Sequence, residues 1–453
     1  MLRPRLIPLV LAVGIGCAIH GGAWSQSLRE LYDAARVYDA AYLAAKSQAE
    51  AVTFKAAQAD ALNRPTVGLN LGATQFEANG PSAFVGSGGA AVVVPGSNDT
   101  KGTTNVQTSI SASLPLYNPA NSATIRQAQH TLEVSTADLE TAEQDLIVRV
   151  AQAYFEVLAA QDSLSTAQTS KRAISEQLAS AKRNFEVGTA TITDTREAQA
   201  RFDLAGAQEL AAENDLHTRL IALEVLVGRS NVKPLPLARP VVIPALMPAD
   251  VNAWVRSADS HPTIRRARLA LDIARLDTER ARAAVGPTVD LTGQLLSSRV
   301  SGTGTTAPGS TQSANLGVIL KMPLYSGGSL QSRVQETLAL EERTRNDLDA
   351  AQRGVAQATR VSYFGRQSLQ AQVKALEAAE SSSQLALEAT QLGYKVGVRV
   401  NLDVLNAQTQ LFTTRRDLDR ARYDVILNGL KLRQASGQLS PNDVIAADRL
   451  FRK

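Results

Sequence analysis

The feature that most constrains this chain is an internal repeat, because four landmarks recur in the same order in its two halves. Pro65-Thr66-Val67 returns as Pro287-Thr288-Val289, and Pro115-Leu116-Tyr117 returns as Pro323-Leu324-Tyr325. Tyr154-Phe155 returns as Tyr363-Phe364. Val187-Gly188, with Asp194 and Ala198-Gln199 after it, returns as Val396-Gly397, Asp403 and Ala407-Gln408. The last three pairs are 208, 209 and 209 residues apart, a spacing too regular for chance. A chain of 453 residues also exceeds the ~250 to 300 at which a single core usually splits, so the duplicated plan must be either two domains or one elongated body.

Each copy reads as helix, two strands, a very long helix, a tight break and a shorter helix. In the first copy, residues 27 to 62 lack Pro and Gly and keep apolar residues at helical spacing, with Ser27 as N-cap and Glu30 three places on. Pro65 ends that helix. Residues 66 to 76 then alternate, Val67, Leu69, Leu71 and Ala73 on one face and Thr66, Asn70 and Thr74 on the other. A Gly-, Ser-, Asn- and Pro-rich loop is expected from 77 to 103, and Ile110, Ala112 and Leu114 mark a returning strand. In the second copy Val289, Leu291 and Leu295, a loop around 301 to 313, and Leu316, Val318 and Leu320 repeat that hairpin.

Residues 119 to 187 hold no Gly and no Pro beyond Pro119, which predicts a helix ~100 Å long at 1.5 Å per residue. Leu132, Leu139, Leu146, Ala153, Ala160, Ala167, Ile174 and Ala181 keep a seven-residue spacing, the seam of a coiled coil in which many Ala allow close approach. Val404, Leu411, Leu418, Val425 and Leu432 form such a seam in the second copy's shorter helix.

These patterns divide the chain into a signal peptide (1–25), a first repeat (26–232), a connector (233–248) and a second repeat (249–436), followed by a tail (437–453). The first repeat comprises a helix, hairpin 66–114, long helix 119–187 and helix 190–228. The second comprises a helix broken near Pro262, hairpin 288–322, long helix 327–396 and helix 399–436. The connector holds five prolines, at 234, 236, 240, 244 and 248, and cannot be helix interior.

The first 25 residues have the marks of a secretory signal: Arg3 and Arg5, an apolar run from Leu6 to Ile19, and Ala23-Trp24-Ser25 before a mature start near Gln26. That run is shorter than the ~20 residues a membrane-spanning helix needs, and no later segment is apolar enough. Any membrane crossing must then use strands. Cys17, the single cysteine, lies in this segment beside a poor lipoprotein box, so the mature chain would lack thiol chemistry. The formal charge of +4 is small for this length and argues for no nucleic-acid partner.

Enzyme chemistry finds no footing. His130, His217 and His261 are dispersed without metal-ligand spacing, and no phosphate loop is present, so no catalytic residue, cofactor or metal is assigned. A periplasmic coiled-coil scaffold would share the signal and the heptads but leaves four one-sided strands unexplained. Four strands cannot close a lipid-facing sheet, since single-chain barrels begin at eight; two chains would supply eight strands and three would supply twelve.

The chain resembles the TolC family of outer-membrane efflux and secretion channels over its whole mature length. The most specific matches are Phe185-Glu186-Val187-Gly188-Thr189-Ala190-Thr191-Ile192-Thr193-Asp194 and Tyr394-Lys395-Val396-Gly397-Val398-Arg399, with Asp403 and Asn406 beyond. The resemblance implies a mainly α fold with a small β part: a homotrimeric helical tunnel topped by a shared twelve-stranded barrel in the outer membrane and reaching into the periplasm. It implies a periplasmic adaptor and an inner-membrane ABC or proton-driven transporter as partners. In the family the Val-Gly turns meet the adaptor, here Val187, Gly188 and Thr189, and Val396, Gly397 and Val398. It assigns a latch to Asp194, Tyr394 and Arg399 and a gate to Asp403 and Asn406. Asn406 stands where the family's nearest members carry a second acid, which implies a weaker acidic ring. The Gly397-Val398-Arg399 turn and residues 436 to 453 resemble members serving type I protein secretion, although drug and metal efflux members share the architecture.

Overall fold

The computed structural model describes residues 26–78, 82–85, 91–94, 101–238, 243–302 and 308–451. The signal segment, Cys17 and Pro240 lie outside the described residues.

Helix α1 (Leu28–Tyr38) starts with a capping box in which Ser27 and Glu30 satisfy each other's backbone N–H groups. The helix expected from 27 to 62 is not continuous. It breaks at Asp39, which leaves helical geometry (ψ 116°) and caps α2 (Ala40–Asp60) by accepting from Tyr42 N–H at 2.8 Å. Asp39 also receives both terminal nitrogens of Arg149 at 2.9 Å.

Strand β1 (Thr66–Ala78) leads to a stretch read as loop. That reading needs correction, since it contains a short hairpin of β2 (Ser82–Val85) and β3 (Ala91–Val94). Val92-Val93-Val94 supply β-branched residues that outweigh the surrounding glycines. Strand β4 (Lys101–Tyr117) returns, running past Pro115 with a register shift there. It is followed by α3 (Pro119–Glu186) and α4 (Ile192–Val227).

After the connector come α5 (Val251–Ser257), α6 (Pro262–Ala283), β5 (Thr288–Gly302), β6 (Gly309–Lys321), α7 (Ser329–Lys395) and α8 (Asn401–Ala435). The segment read as a tail forms α9 (Pro441–Asp448), its turn driven by Pro441 at the first position and burial of Val444 and Ala447.

The four long strands make one antiparallel sheet in the order β1-β4-β5-β6. Register sorts their side chains by chemistry. Leu69, Ile110, Leu295 and Ala314 lie in one cross-strand row, and Val67, Ala112, Gly293 and Leu316 in the next on the same face. The opposite face carries Asn70, Ser109, Leu296 and Ser313, then Gly68, Ser111, Gln294 and Asn315.

Helices α3 and α7 run the full length of the helical body. At the sheet end they pack with α2 and α6, and beyond mid-length with α4 and α8, so a four-helix layer continues throughout. Of the eight α3 seam residues, Leu146, Ala160, Ile174 and Ala181 are buried and the other four half-buried. All five α8 seam residues are buried.

The largest core sits half-way along, where α1, α3, α4, α8, α9 and the connector meet. Tyr154 donates to the Leu235 carbonyl at 2.9 Å and lies edge-on to Phe155 and Phe451. Both repeats, and the first and last of the described residues, are stitched together at this waist.

Candidate functional site

The two ends of the body carry the chemistry. At the sheet end, β1 and β6 are edges without a neighbour among the described strands, and 13 to 17 residues per strand exceed the ~9 to 11 needed to cross a bilayer. Leu71 and Leu316 on the apolar face are 72% and 79% exposed, a burden that water does not tolerate over such an area. The other face is mostly Ser, Thr, Asn, Gln and Gly, with Ser298 donating to Asn105 at 2.8 Å. One face is therefore suited to hydrocarbon and the other to water.

At the far end, α3 and α7 finish in the same way. Gly188 (φ +78°) and Gly397 (φ +81°) take the left-handed conformation that an L side chain resists. Thr189 N–H reaches Asn184 O at 2.8 Å and Gly188 N–H reaches Phe185 O at 3.0 Å. In the second copy Val398 N–H reaches Gly393 O at 2.9 Å and Gly397 N–H reaches Tyr394 O at 3.1 Å. Both are Schellman closures, which satisfy the last carbonyls and reverse the chain. The reversals leave Val187, Val396 and Val398 exposed at 72%, 65% and 75%. Around both glycines a Cβ would meet nothing, so the surface there is open.

The candidate latch and gate residues lie just inside these turns, with partners of their own. Asp194 accepts from Thr191 N–H at 3.0 Å and from its hydroxyl at 2.7 Å, capping α4. Asp403 lies at the repeat-equivalent position, accepting from Val400 N–H at 3.5 Å and facing Arg399 at 3.6 Å. The Tyr394 hydroxyl accepts from the Asn184 side chain at 3.1 Å, tying the two turns together. Asn406 accepts from Arg201 of α4 at 3.0 Å. Within one protomer, then, Asp194 is not hydrogen-bonded to Tyr394 or paired with Arg399. The resemblance brings these three together; the protomer gives each another partner.

Residues unassigned from sequence complete this end. Asn401 is only 2% exposed; it accepts from Gln177 of α3 and donates to the Asp194 carbonyl at 3.5 Å. Its counterpart in the first copy is Ile192, so a polar residue replaces an apolar one at a repeated position. That exchange was the available signal. Among the described residues no group of His, Cys, Asp and Glu could hold a metal, and no helix is long and apolar enough to cross a membrane.

Known proteins share this arrangement. A family model described as outer membrane efflux protein matches residues 31–229 and 255–438. The chain belongs to that family. Its two matched segments coincide with the two copies of the repeat. The outer membrane protein TolC of Vibrio cholerae is 30% identical over 97% of this chain and 97% of its own. The alkaline protease secretion protein AprF of Pseudomonas aeruginosa is 33% identical over 74% of this chain and 70% of its own. A crystal structure of CusC superposes with a TM-score of 0.76 over 91% of this chain and 92% of its own; at 19% identity it attests the fold. This outer membrane efflux protein is thus an outer-membrane channel of tripartite export systems in a Gram-negative envelope, reaching into the periplasm, and its work is passive conduction rather than catalysis.

Proposed function

We propose that three copies of this chain form the exit duct of a type I protein secretion system, taking an unfolded polypeptide from an inner-membrane ABC transporter and a periplasmic adaptor. The observation that carries the duct is the pairing of a four-stranded sheet, apolar on one face and mainly Ser, Thr, Asn, Gln and Gly on the other, with twin open turns at the opposite end of a ~100 Å helix. Joining β6 of one copy to β1 of the next satisfies both edges, and three copies close at twelve strands with the Ser, Thr, Asn and Gln face inside. A mainly neutral polar lining gives a moving chain hydrogen-bond partners, and the Asp290 and Lys321 charges at the helix end of that face offset each other at 3.7 Å.

The turns at Val187, Gly188 and Thr189 and at Val396, Gly397 and Val398 are the adaptor contacts in this reading. Asp194, Tyr394 and Arg399 form the latch between neighbouring copies, after exchanging their present partners. Asp403 and Asn406 face the constriction, where three carboxylates about one axis attract cations. One exposed ion pair contributes only ~0.2 to 1 kcal/mol, so the closed state needs all three latches, and adaptor contact that removes them opens it. The secretion role is favoured over drug or metal efflux by the likeness to AprF and by the Gly397-Val398-Arg399 turn.

Deleting the gene and assaying both routes tests this. Loss of secreted protein from the medium, restored by the wild-type gene, with unchanged sensitivity to drugs and metal salts, is the expected result. Unchanged secretion with raised sensitivity would assign the duct to efflux instead.

A further inference from the structure

One buried cation among the described residues has no counter-charge in contact. Arg366 of α7 is 5% exposed, and its Nη2 donates to the Pro244 carbonyl at 3.0 Å. Its Nε and Nη1 have no hydrogen-bond partner. Burial alone pulls the guanidinium below its ordinary pKa, with no neighbouring carboxylate opposing that shift. Leaving buried donors and a buried charge unmet is costly, and native proteins keep few of them without a reason.

The repeat shows that this is a departure rather than part of the shared plan. Arg366 stands three residues after Tyr363, as Val157 stands three after Tyr154, and Val157 is apolar core at 0% exposure. The opposing position changes as well: Leu220 in the first copy corresponds to Gly429 in the second. A Cβ at Gly429 would lie 3.3 Å from Arg366 Nε, so glycine makes the room that the guanidinium occupies. A charge and a space have thus replaced two apolar side chains.

That space is real. Arg366 and Gly429 border a cavity of about 250 Å³ between α5, α7, α8, α9 and the connector, walled also by Leu246, Trp254, Ile426 and Ala447. Asp443, the acid in its wall, is already paired to Arg433. A bare inorganic anion would leave the apolar walls uncovered, and a hydrocarbon would leave the charge unmet.

We propose that this waist cavity binds a small amphiphilic carboxylate, of the short fatty-acid class, its head on Arg366 and its apolar body against Trp254 and Leu246. Such a ligand clamps α7 and α8 to the connector and α9, and so tightens the waist from which the tip helices extend.

Of the two tryptophans in the sequence, Trp24 falls in the expected signal segment, so the mature protein carries Trp254 as its sole reporter, 3% exposed and in the cavity wall. The purified mature protein in a neutral maltoside is titrated with hexanoate and, separately, with 1-hexanol. The expected result is a saturable Trp254 fluorescence change at least tenfold tighter for hexanoate, and Arg366→Met reduces hexanoate to the level of the alcohol. Equal responses to acid and alcohol, an unaffected Arg366→Met, or no saturable change would overturn the proposal. Should Arg366→Met fail to fold, Ala447→Leu keeps the charge and fills the cavity. Loss of the hexanoate response in that variant supports the site, and an undiminished response sinks it.

Discussion

Asp39 shows how one side chain can set the path of a helix. It is 8% exposed, caps α2 and pairs with Arg149 of α3, so it fixes both the break and the lean of α2 on the long helix. The Arg149 hydrogen bond is the main force holding its carboxyl below the usual carboxylate range; the capping N–H adds to it and burial opposes. A group with a lowered folded pKa stabilises above its unfolded value of ~3.9, and that stability disappears as pH falls through the folded pKa. Asp39→Asn keeps a good cap but loses the ion pair, whereas Asp39→Ala loses both, at ~1 kcal/mol more for the cap. Thermal melting at neutral pH should rank wild type above Asn above Ala, and the gap between wild type and Asn should close below pH 4. A gap that persists in acid would mean the ion pair is not its source. The break was not legible in sequence because Asp39 interrupts neither Pro/Gly absence nor apolar period; only its partner 110 residues away marks it. Ser27, by contrast, carried its capping role openly, since that bond needs only local neighbours.

At the scale of elements, legibility followed the range of the forces involved. The long helices and their seams were written in sequence, because heptad spacing is local and Leu411, Leu418 and Leu432 are each 2% exposed or less. The tip turns were legible too, since a Schellman closure uses residues within six of one another. Helix α9 was not, because eight residues with a weak pattern gain their structure from what they cover. Val444 and Phe451 are 2% and 5% exposed, and the Phe451 ring lies 5.1 Å from that of Tyr154. Burying such side chains is worth ~1.5 to 3 kcal/mol each, so a stop codon after Leu439 should remove more than ~4 kcal/mol from the waist. The truncated protein should melt well below the full-length form and be nicked by protease near the connector. Equal melting and protease resistance would show that α9 is dispensable and that the waist core stands on α1, α3, α4 and α8 alone.

At the scale of the molecule, the proposed gate has to convert contacts at one end into flow through the other, and charge gives a means to follow it. Arg399, the residue before the Val400 cap of α8, lies 3.6 Å from Asp403 in the protomer, so in the proposed reading it both screens the gate carboxylate and supplies the latch cation. On that proposal Arg399→Ala removes two restraints at once: the proposed latch loses its cation, and the proposed Asp403 ring loses its screen. Single-channel recording in planar bilayers should show larger steps than wild type, with selectivity for cations kept or increased. Asp403→Asn should act differently, lowering cation selectivity with the latch cation still in place, and weakening the cap at Val400 by no more than a few tenths of a kcal/mol since Asn also caps. The double variant distinguishes the two roles of Arg399. If its steps are as large as those of Arg399→Ala while selectivity falls to that of Asp403→Asn, conductance belongs to the latch and selectivity to the ring. If instead the double variant returns to wild-type conductance, the larger steps came from unscreened charge drawing cations into an unaltered opening, and the latch assignment of Arg399 is wrong.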